Sequence, residues 1–232
     1  MARIRPRISV VIPTLNEASG IAEVLRPLQS WRRAGDEIVV ADGGSEDDTR
    51  RQCRGLIDCW VTAERGRARQ MNAGAAKARG ELLLFLHADT RVPGSARAWL
   101  LRALHEARVW GRFDVNLTGD RPVFRLIETM INVRSRLSGI ATGDQALFVR
   151  RDMFAALGGF ADQALMEDVS FSSRLNRIAR PLCVPEPVVT DSRRWEEQGV
   201  WRTVFLMWRL RFDYWRGISP EQLVKRYYPH HG

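Results

Sequence analysis

Three apolar runs constrain this chain more than any other feature: residues 8–12 (ISVVI), 37–41 (EIVVA) and 81–86 (ELLLFL). Runs without polar alternation read as strands buried on both faces, which is the environment of a parallel sheet. The segments between them carry helical spacing instead. After the turn PTLNE, Ile21, Val24, Leu25, Leu28 and Trp31 mark one helical face. Pro27 lies inside that pattern and predicts a kink or an early break. Asp42 is followed by a Gly-Gly-Ser turn, where Ser45 with Asp48 reads as an N-cap and an acidic first turn. Residues 57–62 read as a further strand, and 66–79 (GRARQMNAGAAKAR) as a helix of small residues. This alternation predicts an α/β fold with a mainly parallel central sheet, right-handed crossovers and flanking helices.

Beyond Asp89 the pattern loosens. Residues 94–107, 122–137, 151–157 and 167–179 read as helices, and 109–117, 146–149 and 182–190 as extended. Residues 196–216 read as a strongly aromatic helix, followed by a loose tail that includes Tyr227 to His231.

A chain of 232 residues buries enough surface to need no disulfide or structural metal. Its three cysteines form no CxxC pair and leave an odd one over, which suits a reducing cytosol. The basic N-terminus precedes only a five-residue apolar run, too short for a secretory signal. No window of about 18 uncharged apolar residues suggests a membrane span. A cytoplasmic protein is expected. The formal charge is +9, and two lysines stand among 36 basic residues. Arginine suits bidentate phosphate contacts. Such a surface admits nucleic acid, anionic lipid or a phosphorylated small molecule, and codon composition accounts for it equally well. No sequence pattern for specific nucleic-acid binding is present.

Ligands of open parallel sheets bind beyond the carboxyl ends of the strands. Pro13-Thr14-Leu15-Asn16-Glu17, Asp42 and His87-Ala88-Asp89 all fall at such ends. One acid there is ordinarily a cap or a solvated turn; several on adjacent strands read as a shared site.

The ordered segments VVIPTLNE, VVADGGSEDDT, GRARQMNAGA, LLFLHADT and MEDVSFSSRL resemble the family 2 glycosyltransferases of the GT-A fold. Within that family the chain resembles the small bacterial branch associated with radical-SAM/selenodomain proteins. The resemblance covers roughly residues 8–195. It implies a catalytic domain over 1–195, with a nucleotide-binding half (1–92) and an acceptor half (93–195), and a helical C-terminal extension over 196–232. The implied reaction is inverting transfer of a sugar from a UDP- or GDP-sugar to a hydroxyl of a small-molecule or lipid acceptor.

The resemblance also implies site roles. Pro13, Thr14, Glu17, Asp42, Arg65, Gly66, Arg69 and His87 would bind the donor, with Glu17 near the ribose and Asp42 accepting from the nucleobase. Asp89 would ligate Mg²⁺ or Mn²⁺, with His87 in the place of the first acid of the family's Asp-x-Asp. One carboxylate suffices for a hard ion that is also bound to phosphates, whereas imidazole favours softer metals. Asp168 would be the catalytic base and Glu167 would orient the acceptor. Gly143 and Asp144 would form an acceptor-side loop. Arg194 and Trp195 would meet the diphosphate and acceptor.

Two other readings remain at this stage: a nucleotidyltransferase-like enzyme, and a basic membrane- or nucleic-acid-binding protein with a degenerate site. On residues 200–216, Trp201, Trp208 and Trp215 recur every seven residues, as do Arg202, Arg209 and Arg216. That pattern fits a helix lying in the inner face of a membrane. It equally fits a helix docked on the domain or on a second subunit of a homodimer.

Overall fold

The computed structural model describes residues 7–193, 196 and 199–227. Its strands are β1 (Ile8–Thr14), β2 (Glu37–Asp42), β3 (Cys59–Thr62), β4 (Leu82–Phe85), β5 (Thr90–Arg91), β6 (Trp110–Leu117), β7 (Phe148–Arg150) and β8 (Leu182–Thr190). The helices are α1 (Ile21–Arg33), α2 (Thr49–Cys53), α3 (Arg67–Lys77), α4 (Ala96–His105), α5 (Pro122–Ser138), α6 (Arg151–Ala156), α7 (Glu167–Asn176), α8 (Val200–Trp215) and α9 (Pro220–Tyr227). The strands form one sheet in the order β3-β2-β1-β4-β7-β6-β8-β5.

β1 runs parallel to both β2 and β4, and β2 to β3. The short β7 is antiparallel to β4 and β6, and β6 and β8 are again parallel. Alternate residues of β1 serve opposite layers, as the pleat requires. Val10 and Ile12 join Val24, Leu25 and Leu28 of α1, whereas Val11 joins Ala68, Met71 and Ala75 of α3.

Local details differ from the sequence expectations for identifiable reasons. α1 continues through Pro27, which sits on its exposed face. The backbone bond that proline forfeits is therefore on the solvent side, where water can satisfy the carbonyl. Ser45 does not cap a helix. Its hydroxyl bonds the Asp42 carboxylate, and α2 begins later, after Asp48. β3 starts at Cys59 because the Asp58 carboxylate turns back to the Ile38 amide (2.9 Å) and to Arg32. The short β5 arises only by pairing with β8 (Thr90 with Thr190), and residues 220–227 form a helix that takes in Tyr227, which the sequence placed in a loose tail. Tyr228 to His231 lie outside the described residues.

β8 contains Pro185 and Pro187 at a register shift, where Phe113 faces Val184 and Asp114 faces Pro187. A bulge is where a ladder tolerates residues without an N–H. On its other side β6 pairs with β7 only at Trp110 and Gly111, and beyond that α5 acts as a substitute strand. Asn132 accepts from the Val115 amide (2.9 Å) and donates to its carbonyl (3.0 Å), and Glu128 accepts from the Leu117 amide (2.7 Å). These buried contacts fix the rotation of α5 and so decide which of its residues face the site.

α8 packs on this layer. Val200 and Val204 enter a cluster with Leu117, Phe124 and Ile127, and Leu210 packs with Met166 and Leu223. Its opposite face carries Trp201, Phe205, Trp208, Phe212 and Trp215, each at least 54% exposed. No helix among the described residues is long and apolar enough to cross a membrane.

The approach of α3 to the sheet depends on Gly74. A Cβ there would lie 2.5 Å from Val11 Cγ1 and 3.3 Å from Ala41 Cβ. Gly74→Ala gains about 1 kcal/mol of helix propensity but overpacks a rigid strand at about 1–3 kcal/mol. Net destabilisation of about 1 kcal/mol is expected in urea unfolding. A midpoint above that of the parent chain would contradict this account of the packing.

Candidate active site

The strand order reverses at β1. The chain passes outward from β1 to β2 and β3, then returns to place β4 on the other flank of β1. Connections leaving such neighbours part company and open a crevice at the carboxyl edge. Glu17 follows β1 and Asp89 follows β4, so both stand at this crevice. Burial raises the Glu17 pKa, and the Asp89 charge adds to the effect. Gln70, buried on α3, closes the floor by donating to the Thr14 carbonyl (2.6 Å) and the Ala41 carbonyl (3.0 Å).

Two adjoining cavities occupy this edge. The first, of about 920 Å³, is lined by Pro13, Thr14, Glu17, Arg65, Gly66 and Arg69 among others. The second, of about 480 Å³, is lined by Gly143, Asp144 and Asp168 among others. His87, Asp89, Glu167 and Arg67 border both. The sequence-derived donor residues thus share one cavity and the acceptor-side residues the other, with Asp89 between them.

Asp42 is the exception. It lies outside both linings and is only 5% exposed. Its carboxylate accepts from the Gly44 and Ser45 amides (3.0 Å each), the Ser45 hydroxyl and the Thr14 hydroxyl. Four donors match the acceptor sites of a carboxylate, so Asp42 shapes the turn after β2. Arg69 lines the first cavity while bridging Asp162 and Glu64, at 2.8 Å each. Arg194 and Trp195 lie outside the described residues.

Asp89 Oδ1 accepts from the Thr90 hydroxyl (3.0 Å) and the Thr190 hydroxyl (3.4 Å), which leaves Oδ2 without a protein donor among the described residues. The pairing of β5 with β8 brings Thr190 there. His87 packs against Gly143, where a Cβ would lie 2.5 Å from its Nε2. That nitrogen is buried and unpartnered although the ring borders both cavities. Burial and the Arg67 charge keep the imidazole neutral, well below its ordinary pKa. Among the described residues no three His, Cys, Asp or Glu side chains converge as a metal-ligand set. An all-protein cage is therefore not offered. The open Asp89 oxygen fits a hard ion that takes most of its ligands from phosphate and water.

α7 begins after Met166, whose φ of 66° turns the chain so that Glu167 and Asp168 open the helix. Asp168 Oδ2 accepts from the Gly143 amide (2.6 Å) and Oδ1 from the Val169 amide (2.7 Å). These two bonds tie the α7 start to the turn at Gly143–Gln145, which is itself held by the Thr142–Gln145 capping box. Glu167 is buried 3.8 Å from Arg67. Desolvation, then the Asp168 charge, raises its pKa above the usual carboxylate range.

Sequence reasoning missed Arg67, Gln70, Arg134 and Arg211. Arg67 and Gln70 lie within the GRARQ segment, and helical phase could have placed them inward. Arg134 and Arg211 had no local signal.

Comparison with known proteins agrees with this geometry. Residues 9–159 match the family model "Glycosyl transferase family 2". An uncharacterized glycosyltransferase of Mycobacterium tuberculosis is 29% identical over 191 residues, covering 77% of this chain and 72% of its own length. The crystal structure of S. aureus TarS 1-349 superposes with a TM-score of 0.66 at 19% identity, over 80% of this chain and 60% of that one. Mannosyltransferase PcManGT from Pyrobaculum calidifontis, in complex with GDP-Man and Mn²⁺, gives 0.62 at 26% identity, over 90% and 61%. The chain thus spans about three fifths of the length of these two solved proteins. The fold is GT-A, and the chain belongs to glycosyltransferase family 2, as an enzyme that transfers sugar.

Proposed function

We propose that the chain performs a metal-assisted, inverting transfer of a sugar from a nucleoside-diphosphate sugar to an acceptor hydroxyl. The observation that carries this reading is the pair of cavities meeting at Asp89, with Asp168 bordering only the smaller one. The donor occupies the larger cavity, its ribose at Glu17 and its diphosphate at Arg67 and the N-terminus of α3. Gly66, Arg67 and Ala68 line the cavity there, and helix N-termini favour phosphate. The complex of PcManGT with GDP-Man and Mn²⁺ supports a nucleotide-sugar donor and a divalent ion.

Asp89 would hold Mg²⁺ or Mn²⁺, which when bound neutralises charge on the departing nucleotide. Asp168 takes the proton from the acceptor hydroxyl as its oxygen bonds to the anomeric carbon. The bond from that carbon to the phosphate oxygen breaks on the opposite face, so configuration inverts. The Gly143 and Val169 amides hold the Asp168 carboxylate in place, and Gly143 has room for His87 only because it lacks a side chain.

The outer face of α8 supports a seat on an anionic lipid surface. Five exposed aromatics form one stripe, and Arg202, Arg209 and Arg216 run beside it. Aromatic rings at headgroup level with adjacent cations is the composition of an interfacial helix.

Three measurements test these readings. Asp89→Ala should lower Mn²⁺-dependent hydrolysis of a UDP- or GDP-sugar by about 10²-fold or more, the scale of one preorganised electrostatic stabiliser; undiminished turnover at excess donor and metal would remove Asp89 from the metal. Asp168→Asn should keep donor affinity and lose about 10²–10⁴-fold in transfer, whereas lost donor affinity would make the residue structural. The double variant Phe205→Ser with Trp215→Ser should bind phosphatidylglycerol vesicles about tenfold or more weakly, given two partly inserted rings. Equal partitioning of parent and variant would refute the lipid seat.

A further inference from the structure

The smaller cavity holds two guanidinium groups that the chemistry above does not use. Arg134 comes from α5 and Arg211 from α8, and both line it beside Asp144 and Asp168. Arg134 Nη2 lies 3.4 Å from the Thr142 hydroxyl, while its Nε is buried without a partner. Burial pushes the Arg134 pKa down to about 10, with the Arg211 charge contributing, and burial lowers Arg211 as well. Asp144 and Asp168 act on both only through space, with no ion pair to either arginine among the described residues. Asp168 has both oxygens on backbone amides, and Asp144 Oδ1 is buried with no partner among the described residues.

Two largely desolvated cations that repel each other, one of them with a buried unpartnered Nε, are costly unless an anion meets them. The planar guanidinium fork matches the paired oxygens of phosphate or carboxylate. The neighbouring wall is apolar, built from Ile127, Met130 and Ile131 of α5 and Val204, Met207 and Trp208 of α8. Trp208 also belongs to the exposed aromatic stripe, so the apolar wall continues onto the outer surface.

We propose that Arg134 and Arg211 form an acceptor subsite for an anionic oxygen group, phosphate or carboxylate, carried on an apolar acceptor next to the hydroxyl that is glycosylated. The proposal rests on reading the smaller cavity as the acceptor side. Both arginines are positioning residues: they bind the acceptor's charge and bring its hydroxyl to Asp168, and they move no proton. Because one comes from α5 and the other from the C-terminal helix, the subsite requires α8 to be docked.

The test is calorimetric titration of the full chain with octyl phosphate, octanoate, inorganic phosphate and octyl glucoside, with UDP and Mg²⁺ held at saturation. Octyl phosphate or octanoate should bind, and the one that binds more tightly identifies the anion. Inorganic phosphate and the neutral octyl glucoside should each bind at least about tenfold more weakly, as expected when either the charge or the apolar tail is missing. Arg134→Gln and Arg211→Gln should each weaken the preferred probe by about tenfold with UDP affinity and melting temperature unchanged. Arg134→Lys should fall between, keeping the charge without the fork.

Octyl glucoside binding as tightly as the charged probes overturns the subsite, and this comparison uses the unaltered chain, so it decides even if a variant fails to fold. Unchanged probe affinity in both folded glutamine variants also overturns it. Failure of both UDP and GDP to bind the unaltered chain would instead count against the donor cavity. The same titration without UDP then judges the arginine subsite on its own.

Discussion

A parallel sheet whose strand order turns around at its central strand cannot close its carboxyl edge, because the connections on either side of that point leave toward different neighbours. Here the reversal falls between β1 and β4, and the rest of the molecule is arranged around the gap. Glu17 and Asp89 stand on its two sides because one follows β1 and the other follows β4. Gln70 closes the floor by donating to the strand-end carbonyls of Thr14 and Ala41. At the opposite edge Glu37 takes the Ser9 hydroxyl at 2.6 Å and pairs with Arg79, so the same strands are tied at both ends by buried polar contacts. Such contacts stabilise only when every group is satisfied, and here they set the register that puts the acids at one edge.

The other wall arises from the departure from parallel pairing. β7, inserted antiparallel between β4 and β6, delivers the chain directly into α6. α5 continues the edge of β6 beyond its short pairing with β7, through Asn132 and Glu128, whose spacing of one helical turn matches alternate residues Val115 and Leu117 on the strand. That docking orients Ile127, Met130, Ile131 and Arg134 toward the smaller cavity. α8 then covers the cavity with one face and keeps its aromatic stripe on the other. A single helix therefore joins the acceptor side of the site to the protein's outer surface.

The electrostatics follow from the same partition. Asp89, His87, Glu167 and Arg67 lie where the cavities meet, and their charges are coupled. The Asp89 charge adds to the raised pKa of Glu17, and Arg67 helps keep His87 neutral and pairs with Glu167. A metal-bound diphosphate placed among these groups would meet one open carboxylate oxygen and the Arg67 guanidinium.

The sequence by itself determined the parallel half of the sheet. Strands buried on both faces must be apolar throughout, and helices packed on them must repeat every three or four residues, so ISVVI, EIVVA and ELLLFL announced both the elements and the strand ends that carry Glu17 and Asp89. It also singled out the pair Glu167-Asp168, through the resemblance of MEDVSFSSRL. It did not reveal that Asp42 spends its carboxylate on the turn beside it, because a strand-end acid reads alike whether its donors are protein or ligand. It did not show that Pro27 falls on solvent, that Ser45 serves Asp42, or that residues 220–227 fold as a helix against α8. Least of all could it join Arg134 to Arg211. They belong to helices far apart in the chain, and they meet only because one helix is fixed by a strand edge and the other by an apolar cluster. Local pattern fixes which residues become strand or helix. Only tertiary packing decides which side chains come to line one cavity together.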